Sequence, residues 1–449
     1  SGIPSTDEVL NILGAYHFER VFPVDPKTEK RTREAGMHLW YIVRFDKDAD
    51  LKEAARQLRK LGEISKIQSN PTIQRAYDPK KKPLYLSASD LQHVTRTSEG
   101  LTFNDPGLKH QWHYQNTGSY DFVKEGAEAI AGADVNCGEA WKLCKGDPTI
   151  IVAVLDEGVM WNHPDLIGNM WTNEAEEIGS TEDKDGNGYK GDRYGYNFVK
   201  NTGVISWTSA EDTGHGTHVA GTIAAVNNNN EGVGGIAGGD GTENSGVKIM
   251  TCQLFDGAYG CTLAAEAKAI KYAADNGAVI LQCSWGYNSP DANEALGYTP
   301  GPKDEQDWEN QYPLEKEALD YFIHNAGSPN GVIDGGLAIF ASGNEYAPSS
   351  SYPAGYSKCI SVSAIAADFT PSSYTNYGEE ITLCAPGGDG DYYGTPGVAD
   401  DEFAWEGKTQ GLILSTAIKN GQPAYAYMEG TSMACPHVSG VAALGLSHA

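Results

Sequence analysis

The chain has 449 residues, of which 40% are hydrophobic and 21% are charged. That balance supports a buried core and excludes wholesale disorder, and no apolar run approaches the roughly 18 residues a membrane helix needs, which excludes a helical membrane span. A net charge of −27 excludes nucleic acid and anionic lipid as partners, because the surface repels phosphate.

The charge divides the chain. Residues 1–100 carry 17 Lys/Arg against 14 Asp/Glu, whereas residues 101–449 carry 16 against 46. A mildly basic front unit therefore precedes a strongly acidic body, and two such units attract each other. In the front unit, residues 38–45 are rich in aromatic and β-branched side chains and predict a strand. Leu51, Ala54, Ala55, Leu58 and Leu61 recur at helical spacing behind Asp48 or Asp50 as a cap. Residues 64–67 and Ile73 predict further short strands, so 38–77 reads as a βαβ-type piece. Residues 78–100, opening with Asp78-Pro79-Lys80-Lys81-Lys82-Pro83, read as an exposed linker.

From about residue 101 the texture changes. The run 149–155 is continuously apolar, as a strand buried on both faces should be. Runs 247–254, 278–283, 336–341 and 359–364 resemble it, and helical patterns over 216–225, 263–276 and 314–325 lie among them. Strands alternating with helices predict an α/β architecture with a mostly parallel sheet covered on both sides. Residues 287–312 and 387–411 break the pattern as acidic insertions, read as surface loops beside a site. Their charge favours steering of basic substrates. Eight cysteines with no C-x-x-C pair permit bridges Cys137–Cys144, Cys252–Cys261 and Cys359–Cys384 by proximity alone.

Open parallel sheets place their chemistry at the carboxyl ends of strands. Asp156 stands there, directly after the first apolar run. His215 opens a helical stretch in Gly214-His215-Gly216-Thr217-His218, and Ser432 opens another in Gly430-Thr431-Ser432-Met433-Ala434-Cys435-Pro436-His437. A serine hydroxyl needs a base near its own pH range, and an imidazole base needs a carboxylate to fix its tautomer. The order Asp, His, Ser and the lack of a G-x-S-x-G elbow set this apart from α/β-hydrolases. His215 and His218 as zinc ligands lack both a third ligand and the Glu of H-E-x-x-H.

These segments, together with Val154-Leu155-Asp156-Glu157-Gly158 and His163-Pro164-Asp165-Leu166, resemble the subtilisin-like serine proteases over roughly residues 103–449. The resemblance implies a three-layer α/β fold and endopeptidase activity on polypeptides through an acyl-enzyme. Ser432 would attack, His215 would serve as base and then acid, and Asp156 would orient His215. Ala341-Ser342-Gly343-Asn344-Glu345 resembles the family's oxyanion loop, with Asn344 as the donor. Ser284-Trp285-Gly286 resembles the edge that pairs with extended substrate, and Ser351-Tyr352-Pro353 its pocket floor. The front unit resembles the family's inhibitor-type propeptide. That implies a zymogen with a small α+β prodomain and linker over 1–100, a catalytic domain over 101–449, intramolecular inhibition and a maturation cut near 95–101, and the family resemblance implies a secreted or cell-surface location.

Three departures stand out. Glu157 replaces a small hydroxyl residue and sets a carboxylate beside the triad, able to raise the pKa of His215 if it points inward. Trp285 is larger than its counterpart and narrows the pocket. The chain stops at Ala449, where the family continues, which leaves open a separate C-terminal fragment as a partner, a disordered part or a truncation. Glu157, the two insertions and the early end sustain an alternative reading as a catalytically silent, calcium-stabilised binding or scaffold protein.

Two loops suit Ca2+. In residues 183–192, Asp183, Asp185 and Asn187 stand at alternate positions, Tyr189 offers a carbonyl, and Asp192 supplies a further carboxylate. Tyr194 stands where an EF-hand has its Glu, so the loop is only EF-hand-like. Asp165 with residues 226–233 resembles the family's calcium loop, one residue longer, and implicates Asp165 and Asn228.

Overall fold

The structure, a computed structural model, describes residues 1–75, 83–86, 102–120, 122, 126–327, 331–393, 402–403 and 411–449. The front unit contains α1 (Pro4–Ile12), β1 (Ala15–Arg20), α2 (Glu29–Glu34), β2 (Tyr41–Phe45) and α3 (Leu51–Leu58). Asp50 caps α3, accepting from the N–H groups of Lys52 and Glu53 at 3.0 Å. The βαβ expectation is corrected: β1 and β2 pair antiparallel and both precede α3. Residues 64–67 form no strand, because so short a run needs a partner edge to hold it.

The linker expectation is corrected where it is described. β3 (Leu84–Leu86) joins a sheet, with Leu86 buried. The expected cut near 95–101 lies outside the described residues.

The body continues with α4 (Cys137–Ala140), β4 (Ile151–Glu157), β5 (Gly195–Asn197), α5 (His215–Ala224), β6 (Lys248–Asp256), β7 (Tyr259–Gly260), α6 (Leu263–Asp275) and β8 (Ile280–Cys283). Then come α7 (Glu305–Gln311), α8 (Pro313–Asn325), β9 (Leu337–Ala341), β10 (Ile360–Ile365), β11 (Leu383–Pro386) and α9 (Gly390–Tyr393). The last elements are β12 (Glu402–Phe403), β13 (Ile413–Lys419), β14 (Gln422–Met428) and α10 (Thr431–His448).

The main sheet has the order β11-β10-β9-β8-β4-β6-β5, parallel throughout, with β7 antiparallel on β6. β4 sits at its centre and every residue of it is buried. Its alternate side chains separate two cores. Ile151, Ala153 and Leu155 pack with α6 and α8 side chains such as Ile270 and Phe322. Val152 and Val154 pack with α5 and α10 side chains such as Val219 and Met433. The continuous apolar run thus produces three layers, and the α/β expectation stands.

A second sheet, β12-β3-β14-β13, holds an antiparallel hairpin that the sequence reading did not place. The insertion at 287–312 is more than a surface loop, since α7 buries Trp308 completely. In 387–411, α9 buries Tyr393 against Phe122 at 4.5 Å between ring centroids; residues 394–401 and 404–410 lie outside the described residues. All eight cysteines are free thiols, so the three bridges suggested by proximity do not form. Neighbours in sequence meet only if their Cβ atoms face each other at bonding geometry, which spacing cannot specify.

The charge asymmetry takes structural form where the two units meet. Arg31 pairs with Asp275 of α6 at 2.9 Å, and Lys66 pairs with Glu317 of α8 at 2.6 Å. Glu317 also accepts from the Trp40 indole at 2.6 Å. Residues 70–73 then run along the chain after β7. Thr72 bridges Thr262 antiparallel, the Ile73 N–H donates to the Cys261 carbonyl at 2.8 Å, and the Leu263 N–H donates to the Pro71 carbonyl at 3.0 Å. Ile73 is buried with Leu263 and Trp285 in one core.

Candidate active site

β4 delivers Asp156, 1% exposed, at its carboxyl end, and α5 begins opposite it with His215, also 1% exposed. The helix start comes so near the strand end that a Cβ on Gly216 would meet the Glu157 carbonyl oxygen at 2.2 Å. This approach sets His215 Nδ1 at 2.8 Å and 2.9 Å from the two Asp156 oxygens. A carboxylate on that side holds the proton on Nδ1 and leaves Nε2 as the basic end of the ring.

Ser432 occupies the first turn of α10, which packs on α5. Gly430 precedes it at φ 148°, a backbone region that glycine enters at no steric cost. Ser432 and Ser284 exchange hydrogen bonds. The Ser432 hydroxyl donates to the Ser284 carbonyl at 3.2 Å, and the Ser284 hydroxyl donates to the Ser432 carbonyl at 2.8 Å. The edge segment after β8 is therefore fastened to the serine helix.

Asn344 lies in the loop after β9. Its Oδ1 accepts from the Thr431 N–H at 2.9 Å and the Thr431 hydroxyl at 2.8 Å. With the oxygen held by the residue before Ser432, the amide turns its NH2 end away from Thr431. The loop itself rests on Asn376, whose Oδ1 accepts from the N–H groups of Glu345 and Ala347 at 3.0 Å. Asn376 also donates to the Ser342 carbonyl at 3.0 Å. A Cβ on Gly343 would meet Asn376 Nδ2 at 2.3 Å, so the glycine permits the contact.

Of the binding residues expected from sequence, Ser284, Trp285 and Gly286 line up beside the 351–352 segment. A Cβ on Gly286 would meet the Tyr352 carbonyl oxygen at 2.9 Å and Ser351 Oγ at 3.3 Å. The Tyr287 N–H donates to that same Tyr352 carbonyl at 2.8 Å. Ser351 is buried and its N–H donates to the Ser342 carbonyl at 2.9 Å, linking the floor to the Asn344 loop. The Trp285 indole is buried edge-to-face on Phe340, with ring centroids 5.6 Å apart.

Glu157 reaches His215 through the main chain. Its Oε2 accepts from the N–H groups of Thr213 at 3.0 Å and His215 at 3.1 Å, and its Oε1 accepts from the Thr213 hydroxyl at 3.1 Å. It thereby caps the start of α5 and favours the helix dipole. Arg75 of the front unit pairs with Glu157 Oε1 at 3.1 Å. A cleft of about 400 Å³, lined by Trp207, Ser209, Asp212, Gly214 and Ile418, opens beside this helix start.

His218, one turn further along α5, is buried. Its Nε2 faces the carbonyls of Ile413 and Ala426 at 3.1 and 3.0 Å, joining β13 to β14. Burial pushes its pKa down to about 3, so the ring is neutral and serves the hairpin.

The two loops expected to suit Ca2+ differ in the structure. Asp183 and Asp185 come together with Glu176, their oxygens all within 4.8 Å of one another. Glu176 was not anticipated; it stands seven residues upstream, outside the alternating pattern. Asp183 oxygens also accept from the N–H groups of Gly186 and Gly188 at 2.8 Å. Asp192 stands outside that trio, accepting from Asn173 and Asn187 at 3.0 Å and from the Tyr272 hydroxyl at 2.7 Å, and burial pushes its carboxyl up to about 6. The Asn187 amide oxygen accepts from the Tyr189 N–H at 2.7 Å, and the Tyr189 ring is buried against Tyr272. In the second loop, Asp165 is wholly buried and accepts from Asn229 at 2.7 Å and the Val233 N–H at 2.9 Å. The Asn228 amide instead donates to the Asp240 carbonyl at 3.1 Å, while its N–H donates to Asp105 at 2.9 Å. Asn229 and the buried Asp105 are thus the neighbours that sequence reading missed.

Residues 147–449 match the Subtilase family. A halolysin-like extracellular serine protease, Nep, of Natrialba magadii is 30% identical over 71% of this chain and 44% of its own length. A calcium-dependent protease of a Nostoc species is 30% identical over 75% of this chain and 43% of its own. The chain spans about half the length of the curated relatives it matches. The crystal structure of an Aeromonas sobria serine protease with its chaperone aligns at a TM-score of 0.54 with 20% identity, over 82% of this chain and 58% of that one, a likeness of fold. With the family matched across two cores, the central sheet and every block around Asp156, His215, Asn344 and Ser432, this chain belongs to the subtilase family.

Proposed function

We propose that the chain is a serine endopeptidase made as a zymogen. The observation that carries this is the His215–Asp156 pair, buried at the start of a helix that packs on the helix carrying Ser432. His215 Nε2 takes the hydroxyl proton as Ser432 Oγ attacks the peptide carbonyl, then returns it to the leaving amine; water repeats the cycle on the acyl-enzyme. Asn344 Nδ2 and the Ser432 N–H donate to the oxyanion. The polypeptide substrate lies as an added strand on 284–286.

Residues 1–100 act as an intramolecular inhibitor and 101–449 as the catalytic domain. The antiparallel run of residues 70–73 along 261–263 and the burial of Ile73 support this. The extracellular relative, together with the lack of any helix among the described residues long and apolar enough to cross a membrane, supports work outside the cell.

A fluorophosphonate probe tests the whole. It labels Ser432, labels faster when Ile73→Asp loosens the front segment, and fails on Ser432→Ala. Labelling that survives Ser432→Ala rejects the reading.

Ca2+ fits the donor set of Glu176, Asp183 and Asp185, three hard carboxylates gathered within 4.8 Å, and the calcium-dependent relative agrees. These residues would hold it and stabilise the loop beside β5. Chelation with EDTA lowers Tm by about 5 °C or more, and added Ca2+ restores it. An unmoved Tm removes the ion from the account.

A further inference from the structure

Glu266 and Glu315 are wholly buried, and the peptidase reading gives neither of them a task. Glu266 stands in the first turn of α6 and Glu315 in the first turn of α8, and the two helices pack together. Glu315 is supplied with donors. The Trp308 indole donates to its Oε2 at 2.5 Å, and the Tyr287 hydroxyl donates to its Oε1 at 3.2 Å. Glu266 is not: neither of its oxygens meets a donor among the described residues. A buried carboxylate in that condition is costly, because nothing replaces the water it gave up. Glu266 is therefore a neutral acid, and its hydroxyl donates to Glu315 in the hydrogen bond that joins the two side chains. Burial, then the charge of Glu315, pushes the Glu266 carboxyl well above the usual range. Burial raises Glu315 as well, against the hydrogen bonds from Glu266, Trp308 and Tyr287.

Among the described residues no cation acts on the pair. The other titratable groups around it are Cys261 ahead of α6, Cys283 at the end of β8, Tyr287, Tyr312 ahead of α8 and Cys359 ahead of β10. Burial raises each of them, so all are neutral. The front segment meets the two helix starts with uncharged groups. Gln68 Oε1 accepts from the Leu314 N–H and Asn70 Oδ1 from the Ala264 N–H, both at 2.9 Å. One proton is thus all that separates the pair from two facing charges.

Glu315 is also a junction between the walls expected to receive substrate. Tyr287 follows directly on the 284–286 edge, donates its N–H to the Tyr352 carbonyl at 2.8 Å and stacks on Tyr312 with ring centroids 4.4 Å apart. Trp308 stacks on the Tyr352 ring at 5.8 Å between centroids. One carboxylate therefore holds the edge through Tyr287 and the pocket floor through Trp308.

We propose that Glu266 is a positioning residue: the proton it holds against Glu315 keeps the substrate edge and the pocket floor in place, and hydroxide removes that proton as pH rises, loosening both walls. This inference rests on the peptidase reading and adds its control by pH. With both carboxyls ionised, two like charges face each other in a dry interior, and each needs water that only an opened seam between α6 and α8 supplies. The folded chain keeps a proton that unfolded Glu266 gives up near the ordinary value of 4.5. The pair's contribution to stability therefore falls as pH rises above that value, until the folded pair ionises too.

The test follows the full chain from about pH 6 to about pH 9, under conditions where fluorophosphonate labels Ser432. Glu266→Gln keeps a donor for Glu315 and cannot become charged. Glu315→Gln removes the second charge from the other side, and decides if Glu266→Gln fails to fold. Expected is a wild-type kcat/KM on a fluorogenic peptide that falls at the alkaline end, through KM more than kcat. The ratio of alkaline to acid kcat/KM is about tenfold higher in either variant. Wild-type Tm falls over the same range more than that of the variants. The infrared difference between wild type and Glu266→Gln at neutral pH shows the carbonyl band of a protonated acid. Parallel pH profiles in wild type and variants, or a difference spectrum without that band, overturn the inference and spare the peptidase. No labelling and no turnover at any pH removes the peptidase reading, and with it the role toward substrate.

Discussion

Asp156→Asn is expected to cut kcat on a peptide amide by about 10⁴-fold while the fold stays intact. The cause lies in the placement of both carboxylate oxygens within 2.9 Å of His215 Nδ1. Oδ1 also accepts from the Glu157 N–H, so an asparagine keeps its oxygen there and puts its NH2 at the Oδ2 position. That NH2 stands 2.9 Å from Nδ1, where it repels an N–H, and the negative charge that favoured the Nδ1–H tautomer and imidazolium is gone, so the ring proton shifts toward Nε2. The imidazole then has no lone pair for the Ser432 proton. Flipping the amide does not help, because the other position is as close to Nδ1. The check is kcat with Tm and circular dichroism beside it; a loss under tenfold with Tm unchanged would sink the assigned role.

Gly216→Ala is expected to destabilise the chain by about 1–3 kcal/mol and to lower kcat about a hundredfold. Helix propensity alone predicts the opposite sign, since Ala inside a helix is worth about 1 kcal/mol over Gly. The clash decides. A Cβ at residue 216 would stand 2.2 Å from the Glu157 carbonyl oxygen and 3.3 Å from Asp156 Cβ. Neither the strand end nor the helix start can yield freely, because the pair His215–Asp156 spans the same gap. Backbone gives instead, and the imidazole leaves its place. A rise in Tm, or an unaltered rate of Ser432 labelling, would contradict this.

The body was legible because its signals are redundant. The run 149–155 is apolar at every position, and only a strand covered on both faces needs that. The segments holding Asp156, His215, Asn344 and Ser432 each carry a chemical type at an element edge. What escaped depended on tertiary placement. Glu176 joins Asp183 and Asp185 from outside the alternating loop pattern, and Asn376 supports the Asn344 loop from 32 residues away, a separation that no local periodicity encodes. The hairpin β13–β14 carries its own local signal in the sequence. Asn420 and Gly421, at φ 51° and 73°, form the two-residue turn that Asn-Gly signals between apolar runs. In the front unit, weak strands of mixed polarity left the pairing direction open, and only the partner chosen by β2 settled it.

The alternation along β4 has a further consequence. One strand serves as the shared wall of both apolar interiors, so neither interior can empty without uncovering the opposite side of the same backbone. Opening of the molecule is thereby made concerted around its middle. The Asp156 carboxylate paired with His215 is anchored on the portion with the least freedom to unravel locally, while the segment bringing Arg75 is held by a short ladder and a few charges. Rigidity and release are divided between the two units in that way.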